Sequence, residues 1–250
     1  MNPGDHGGGP GGTPGGIAAQ GATAALAPGL YVVSTPIGNA RDITLRALDV
    51  LAGADILAAE DTRHTRRLLD LHGLTRPSGR LWAYHDHNGP AARPRILAAL
   101  DEGRSVALVS DAGTPLLADP GFRLVRAAAE AGHPVIAIPG PSALLSALAV
   151  AGLPTDRFLF AGFLPPNPAA RRRARADLAA LPASLVFYEA PRRIAASLAD
   201  MAATLGAERE VALCRELTKR FEEARRGTLG GLAEALAGEP APKGEIVVVV

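Results

Sequence analysis

Two carboxylates, two glycines and two prolines fall within the twelve residues Ser110-Asp-Ala-Gly-Thr-Pro-Leu-Leu-Ala-Asp-Pro-Gly121. Such a segment is stiff with a few permissive joints, and its backbone amides can approach a ligand closely. Two shorter segments share this character. Ser34-Thr-Pro-Ile-Gly-Asn39 is one; Pro139-Gly-Pro-Ser142 is the other, and it opens a helical pattern whose free N–H groups can bind polar ligand atoms. Ordinary turn chemistry accounts for Gly and Pro in any single one of them. Three on one edge of one sheet point to a ligand site instead. None contains G-x-G-x-x-G or Gly-Lys-Ser/Thr, so neither a standard dinucleotide fold nor an NTPase is indicated.

Acid–base chemistry is available at Glu60, Asp61 and His85, and Lys243 beside Gly244-Glu245 offers a cation for a phosphate or a hydroxyl. Asp61 equally suits the cap of the helix that follows it, with Arg66 and Arg67 on that helix's solvated face. His64, His72, His85 and His87 match no zinc-binding spacing, so no metal site is expected. A single cysteine, Cys214, excludes an internal disulfide and a zinc tetrad and fits a reducing cytoplasm. Of the 26 basic residues only Lys219 and Lys243 are lysines. The arginines cluster: Arg171, Arg172, Arg173 and Arg175 put four charges in five residues, and Arg63, Arg66 and Arg67 add three on another helix.

The elements that must position these groups alternate. Short apolar runs at 30–34, 55–60, 81–85, 105–110 and 134–138 read as strands, with helical patterns at 44–52, 62–72, 90–101 and 121–131 between them. Right-handed crossovers then give a mostly parallel sheet with Glu60, Asp61, His85 and the three loops at its strand-end edge, where open α/β sheets bind ligands. Further on, a helix runs to about residue 151. Strands follow at 158–163, 185–189, 210–217 and 245–250, with helices at 169–181, 191–205 and 229–237. Residues 222–227 follow a strand closely and read as its hairpin partner, so this half has a mixed sheet. The run Ile246–Val250 is continuously apolar, as expected of a strand buried on both faces.

A chain of 250 residues, 48% apolar and 20% charged, is long enough for one or two domains and has no apolar stretch near the roughly 18 residues that cross a bilayer. Residues 1–28 hold 9 of the 28 glycines and no Lys or Arg, which reads as a flexible tail without a targeting signal. The expected organisation is therefore a tail at 1–28, an α/β domain at 29–142 and a second α/β domain at 143–250.

Four motifs in order carry a specific resemblance: Glu60-Asp-Thr-Arg-His-Thr65, Ser110-Asp-Ala-Gly-Thr-Pro115 with Asp119-Pro-Gly121, Ile138-Pro-Gly-Pro-Ser-Ala143, and Tyr188-Glu-Ala-Pro-Arg-Arg193. From about Gly29 to Val250 the chain resembles the tetrapyrrole-methylase superfamily, and within it the methyltransferases of small-subunit (16S) ribosomal RNA. The resemblance implies a two-domain α/β fold with S-adenosylmethionine in the cleft between the domains, usually as a homodimer in the cytoplasm. It also implies 2′-O-methylation of a cytidine ribose in the decoding region, on naked RNA or the assembled small subunit. Carried over residue by residue, the cofactor contacts are Pro36, Ile37, Gly38, Asp111, Gly113, Thr114, Ser142, Ala143, Tyr188 and Leu213. Pro36 departs from the glycine common among tetrapyrrole methylases.

Methyl transfer from a sulfonium is an in-line displacement, so positioning comes first. A group that takes the hydroxyl proton can add about 10²- to 10⁴-fold; Glu60, Asp61, His85 and Lys243 are the candidates. The arginine clusters suit RNA phosphates, which Arg grips with two parallel donors. At 4% aromatic content a stacking platform of the RNA-recognition-motif kind is not expected. Two other readings remain: a precorrin C-methyltransferase, which would want an apolar, ring-sized trough and no basic helices, and a noncatalytic RNA-binding assembly factor.

Overall fold

The computed structural model describes residues 25–250 apart from Ser78, Pro166 and the side chains of Pro168, Arg172 and Arg175. Most of the expected tail thus lies outside the described residues. Five strands, β1 (Gly29–Val33), β2 (Ile56–Ala59), β3 (Leu81–Ala83), β4 (Ser105–Val109) and β5 (Val135–Ile138), form one sheet in the order β3-β2-β4-β1-β5. All its pairings are parallel. Helices α1 (Leu45–Gly53) and α2 (Thr62–Leu71) bury Val50, Leu51 and Leu69 on one face. On the other, α3 (Gly89–Asp101) and α4 (Phe122–Glu130) bury Ile96, Leu100 and Leu124. Both faces being covered, β2 and β4 are buried throughout, which explains the apolar runs Ile56–Ala59 and, after Ser105, 106–109.

The second sheet is mixed. Strands β6 (Phe158–Phe163), β7 (Ser184–Glu189), β8 (Glu210–Arg215), β9 (Glu223–Thr228) and β10 (Ile246–Val249) lie in the order β6-β7-β10-β8-β9. Only β6 and β7 pair in parallel. The run Ile246–Val249 is buried at every position because β10 sits in the middle of this sheet, with a layer on each side. Helices α7 (Ile194–Leu205) and α8 (Leu229–Ala237) pack on one face through Leu198, Met201 and Leu232. Helix α5 (Ala143–Ala151) covers the other through Leu144, Ala147 and Leu148, and Ile37 from the first half joins that cluster. Helix α6 (Pro168–Ala179) begins at Asn167, whose side chain accepts from the N–H groups of Ala169 and Ala170.

In the first sheet, β1 leads one way to β2 and its neighbour β4 leads the other way to β5, so the chain changes direction between β1 and β4. Loops leaving adjacent strands on opposite sides open a crevice at their carboxyl ends. Residues 34–39 and 110–121 are those two loops.

Candidate active site

The three loops are bonded to one another. Thr35 and Gly113 exchange backbone hydrogen bonds of 2.9 and 3.0 Å across the β1/β4 crevice. Ser34 Oγ donates to Thr114 Oγ1, which donates in turn to the Pro141 carbonyl, both at 3.0 Å. Gly113 (φ +82°) holds the left-handed backbone that this close approach requires. Leu116 and Ala118 adopt the same region without being glycine, as do Glu216 and Thr218 in the β8–β9 connection. These are the four non-glycine residues of positive φ among the described residues, and all lie in two loops beside one cleft.

That cleft, of about 350 Å³, runs between the two sheets. Ile37, Leu117, Ala143, Leu217 and Val247 give it apolar walls, and Glu60, Asp111, Asp119, Glu189 and Glu245 give it acidic positions. Two polar atoms along it are buried without a hydrogen-bond partner among the described residues, Ser142 Oγ at the start of α5 and Glu189 Oε2. The other Glu189 oxygen is used twice, by the Ala190 N–H and by Arg193 Nε, each at 2.8 Å. An orphaned buried polar atom costs free energy unless a ligand completes it.

Three carboxylates share the first-sheet side. Burial raises the Glu60 pKa, opposed by the hydrogen bond it accepts from the Asp111 N–H, with the Asp111 and Asp86 charges adding to the rise. Asp119 is pushed up to about 7, first by burial and then by the Glu60 charge, against a hydrogen bond with Ser110. Asp111 is committed to α2: it accepts from the Asp61 N–H at 3.0 Å and faces His64 Nδ1 at 2.9 Å. Those contacts raise the His64 pKa. Asp61, His64 and Asp111 bring one polar atom each within 4.8 Å of one another, an arrangement these bonds account for.

Of the expected cofactor contacts, Ile37, Asp111, Gly113, Thr114, Ser142, Ala143 and Tyr188 line the cleft. Pro36 and Gly38 do not: Gly38 abuts Lys219 and Thr218, and the Asn39 N–H donates to Thr218 Oγ1 at 3.1 Å. Leu213 is corrected. Strand alternation turns it into the α7/α8 core, and its neighbour Cys214 faces the cleft. Burial there pushes the Cys214 thiol up to about 11.

Among the expected acid–base groups only Glu60 lines the cleft. Asp61 caps α2 and binds Arg63 at 2.6 Å, which holds its carboxyl well below the usual range. His85 stands outside the lining, with Nδ1 accepting from the Asn88 N–H at 3.3 Å. Lys243 is exposed; its neighbours Gly244 and Glu245 reach the cleft in its place. Asp119, in the Asp-Pro-Gly motif of the Ser110 loop, lines the cleft as well, although it is not among the residues expected there.

The arginine clusters divide. Arg171 is corrected as a phosphate contact: it is 6% exposed, and its guanidinium is paired with Asp200 at 2.9 Å under α7. Arg173 is exposed on α6, and the side chains of Arg172 and Arg175 lie outside the described residues. On α2, Arg66 and Arg67 are exposed and make no ion pair among the described residues, whereas Arg63 is turned onto Asp61.

The family profile described as tetrapyrrole (corrin/porphyrin) methylases matches residues 29–233. A protein of Mesorhizobium japonicum named ribosomal RNA small subunit methyltransferase I is 57% identical over 225 residues, which is 90% of this chain and 76% of that protein. The protein of that name from Escherichia coli O157:H7 is 50% identical, covering 88% and 77%. Among solved structures, uroporphyrin-III-C-methyltransferase from Thermus thermophilus superposes with a TM-score of 0.59 at 24% identity, over 88% of this chain and 93% of that one. Diphthine synthase gives 0.63 at 16% identity, over 88% and 89%. At those identities the two structures establish the shared fold.

Proposed function

The chain belongs to the tetrapyrrole methylase family, and from that premise we propose that it transfers a methyl group from S-adenosylmethionine to the ribose 2′-hydroxyl of a cytidine in the decoding region of small-subunit ribosomal RNA. The observation that carries this reading is the 57% identity to a protein named for that RNA, sustained over 90% of the chain.

The residues of the cleft suit the cofactor. When bound, S-adenosylmethionine supplies an electrophilic methyl carbon on a cationic sulfur. Apolar walls at Ile37, Leu117, Leu217 and Val247 fit its adenosine, and the orphaned Ser142 hydroxyl and Glu189 oxygen offer partners for its polar groups. The carboxylates of Glu60, Asp111 and Asp119 favour positive charge at that end. Asp119, poised near neutral pH, is the group we assign to take the 2′-hydroxyl proton, its pKa held up by burial and then by the Glu60 charge beside it. A base works best with a pKa near the operating pH, and burial together with repulsion from Glu60 brings Asp119 there.

Exposed arginines at Arg66, Arg67 and Arg173 favour a polyanionic acceptor over a precorrin. The partnerless polar atoms in an acid-lined cleft favour a working enzyme over a noncatalytic assembly factor. We also read the chain as two domains divided at 142/143, because α5 packs on the second sheet; a homodimer and a cytoplasmic location complete this reading. Labelled S-adenosylmethionine offered with naked small-subunit RNA, assembled small subunits or a precorrin tests it. Label on RNA ribose is expected; label only on the precorrin, or RNA binding without transfer, overturns it.

A further inference from the structure

One aromatic ring at the cleft is placed there by an irregularity in its strand. Strict alternation along β6 would send Phe163 to the same side as Leu159 and Ala161, which pack toward α7 and α8. The β6–β7 register instead shifts between Phe160 and Gly162, leaving Ala161 as an extra residue, and Gly162 takes φ +62°. No atom lies within 4 Å of a β-carbon built on Gly162, so its need is the backbone angle and not space. The bulge returns Phe163 to the side of Phe160 and Tyr188. Both rings meet Tyr188 edge-on, with centroids 4.8 and 5.5 Å away. Bulges beside active sites commonly re-aim a side chain in this way.

Phe163 lines the cleft yet remains 57% exposed. A ring fixed by its neighbours, open on one face and standing where two sheets part, is a stacking surface awaiting a flat partner. The buried apolar walls deeper in the cleft already suit the cofactor, so the partner at the mouth is the acceptor. Five residues on, α6 begins and carries the exposed Arg173. A polyanion lying along that helix would therefore present a nucleotide to Phe163.

We propose that Phe163 is the platform on which the base of the acceptor nucleotide stacks after leaving its own helix, holding the ribose toward the carboxylates of the opposite wall. This rests on the proposed RNA methylation, and a single ring of this kind differs from the multi-aromatic platform that the low aromatic content argues against. An enzyme acting on one nucleotide of a structured RNA must extract it, and a protein ring then takes the place of the neighbouring bases the nucleotide has left.

The test uses the full-length protein, small subunits lacking the methyl group, and a short RNA hairpin of the decoding region with a fluorescent cytidine analogue at the acceptor position. Phe163→Ala is expected to lower kcat/KM for small subunits by roughly 5- to 150-fold, the range of one base–aromatic stack. Its affinity for S-adenosylmethionine should be unchanged. Binding should quench the analogue with the wild-type protein and with Phe163→Tyr, and not with Phe163→Ala or Phe163→Leu. If wild-type protein quenches the analogue but transfers no methyl to small subunits, the proposed reaction fails and the stacking site stands. Wild-type kcat/KM and quenching in Phe163→Ala, full rescue by Phe163→Leu, or an equal loss of cofactor affinity would each overturn the stacking role.

Discussion

Replacing Asp119 by Asn should make the protein more stable and nearly inactive, with the stability gain confined to neutral and alkaline pH. Asp119 is half-buried in the cleft beside Glu60, and its pKa is pushed up to about 7 from 3.8. A carboxyl whose folded pKa lies above its unfolded value holds its proton in the folded state while the unfolded chain has lost it. Folding stability therefore falls as pH rises from the ordinary aspartate range toward 7, and is level above that. Between about pH 5 and about pH 8 the folded protein gives up the equivalent of two pKa units, about 2 to 3 kcal/mol. Asn cannot ionise and escapes this loss. The variant's advantage should thus be about 2 to 3 kcal/mol larger at pH 8 than at pH 5, or roughly 4 to 12 °C in Tm for a chain of this size. Thermal unfolding without cofactor at the two pH values measures it, and activity on small subunits should drop by about 10²- to 10⁴-fold. In the wild type, kcat/KM should climb with pH and level off near 7. A Tm difference between variant and wild type that is the same at both pH values would refute the reasoning, because Asp119 would then not be the group titrating between them.

Three further outcomes follow from particular contacts. Arg171→Ala should cost about 1.5 to 3 kcal/mol of stability by leaving Asp200 without its buried partner, whereas Arg173→Ala should leave the Tm unchanged and reduce the slope of log RNA affinity against log salt by about one; urea unfolding and binding titrations at several salt concentrations separate the two. Ser142→Ala removes a hydroxyl that has no partner among the described residues, so calorimetry should find S-adenosylmethionine binding about 5- to 10-fold weaker with no loss of unfolding temperature in the cofactor-free protein. Gly38→Ala would set a methyl group against the Lys219 stem and Thr218 Oγ1, and should cost about 1 to 3 kcal/mol in thermal unfolding by forcing the first loop away from the β8–β9 connection.

Periodicity made the elements legible: the apolar runs in the first half became β1–β5 within a residue or two at their ends, and the close spacing of 210–217 and 222–227 became the β8–β9 hairpin. The three loops were legible for a related reason, since Gly, Pro and Asp at strand ends mark where the backbone must turn tightly. Side-chain direction was harder. Leu213 and Cys214 are both apolar and adjacent, and only the register of β8 against β10 says which one faces the cleft. Arg171 looked like its exposed neighbours because its partner Asp200 lies 29 residues away on another helix. Asp119 is hidden by its motif, where an Asp before Pro-Gly reads as turn chemistry; its perturbation comes first from burial in the folded cleft and then from the adjacency of β2 and β4, which brings Glu60 alongside.

The bonds among the Ser34, Ser110 and Pro139 loops also bear on how such a protein can evolve. Thr35 with Gly113, Ser34 with Thr114, and Thr114 with Pro141 form a chain of bonds in which the Ser110 loop is tied to both of the others. A replacement in that middle loop is felt by all three, so it can drift only by coordinated change. The opposite wall draws on separate strand ends of the mixed sheet, at Phe163, Tyr188, Leu217 and Glu245, and its couplings are pairwise, Phe163 with Tyr188 and Glu245 with Lys219. New methyl acceptors are therefore most readily acquired there, with the braced wall left as the constant part.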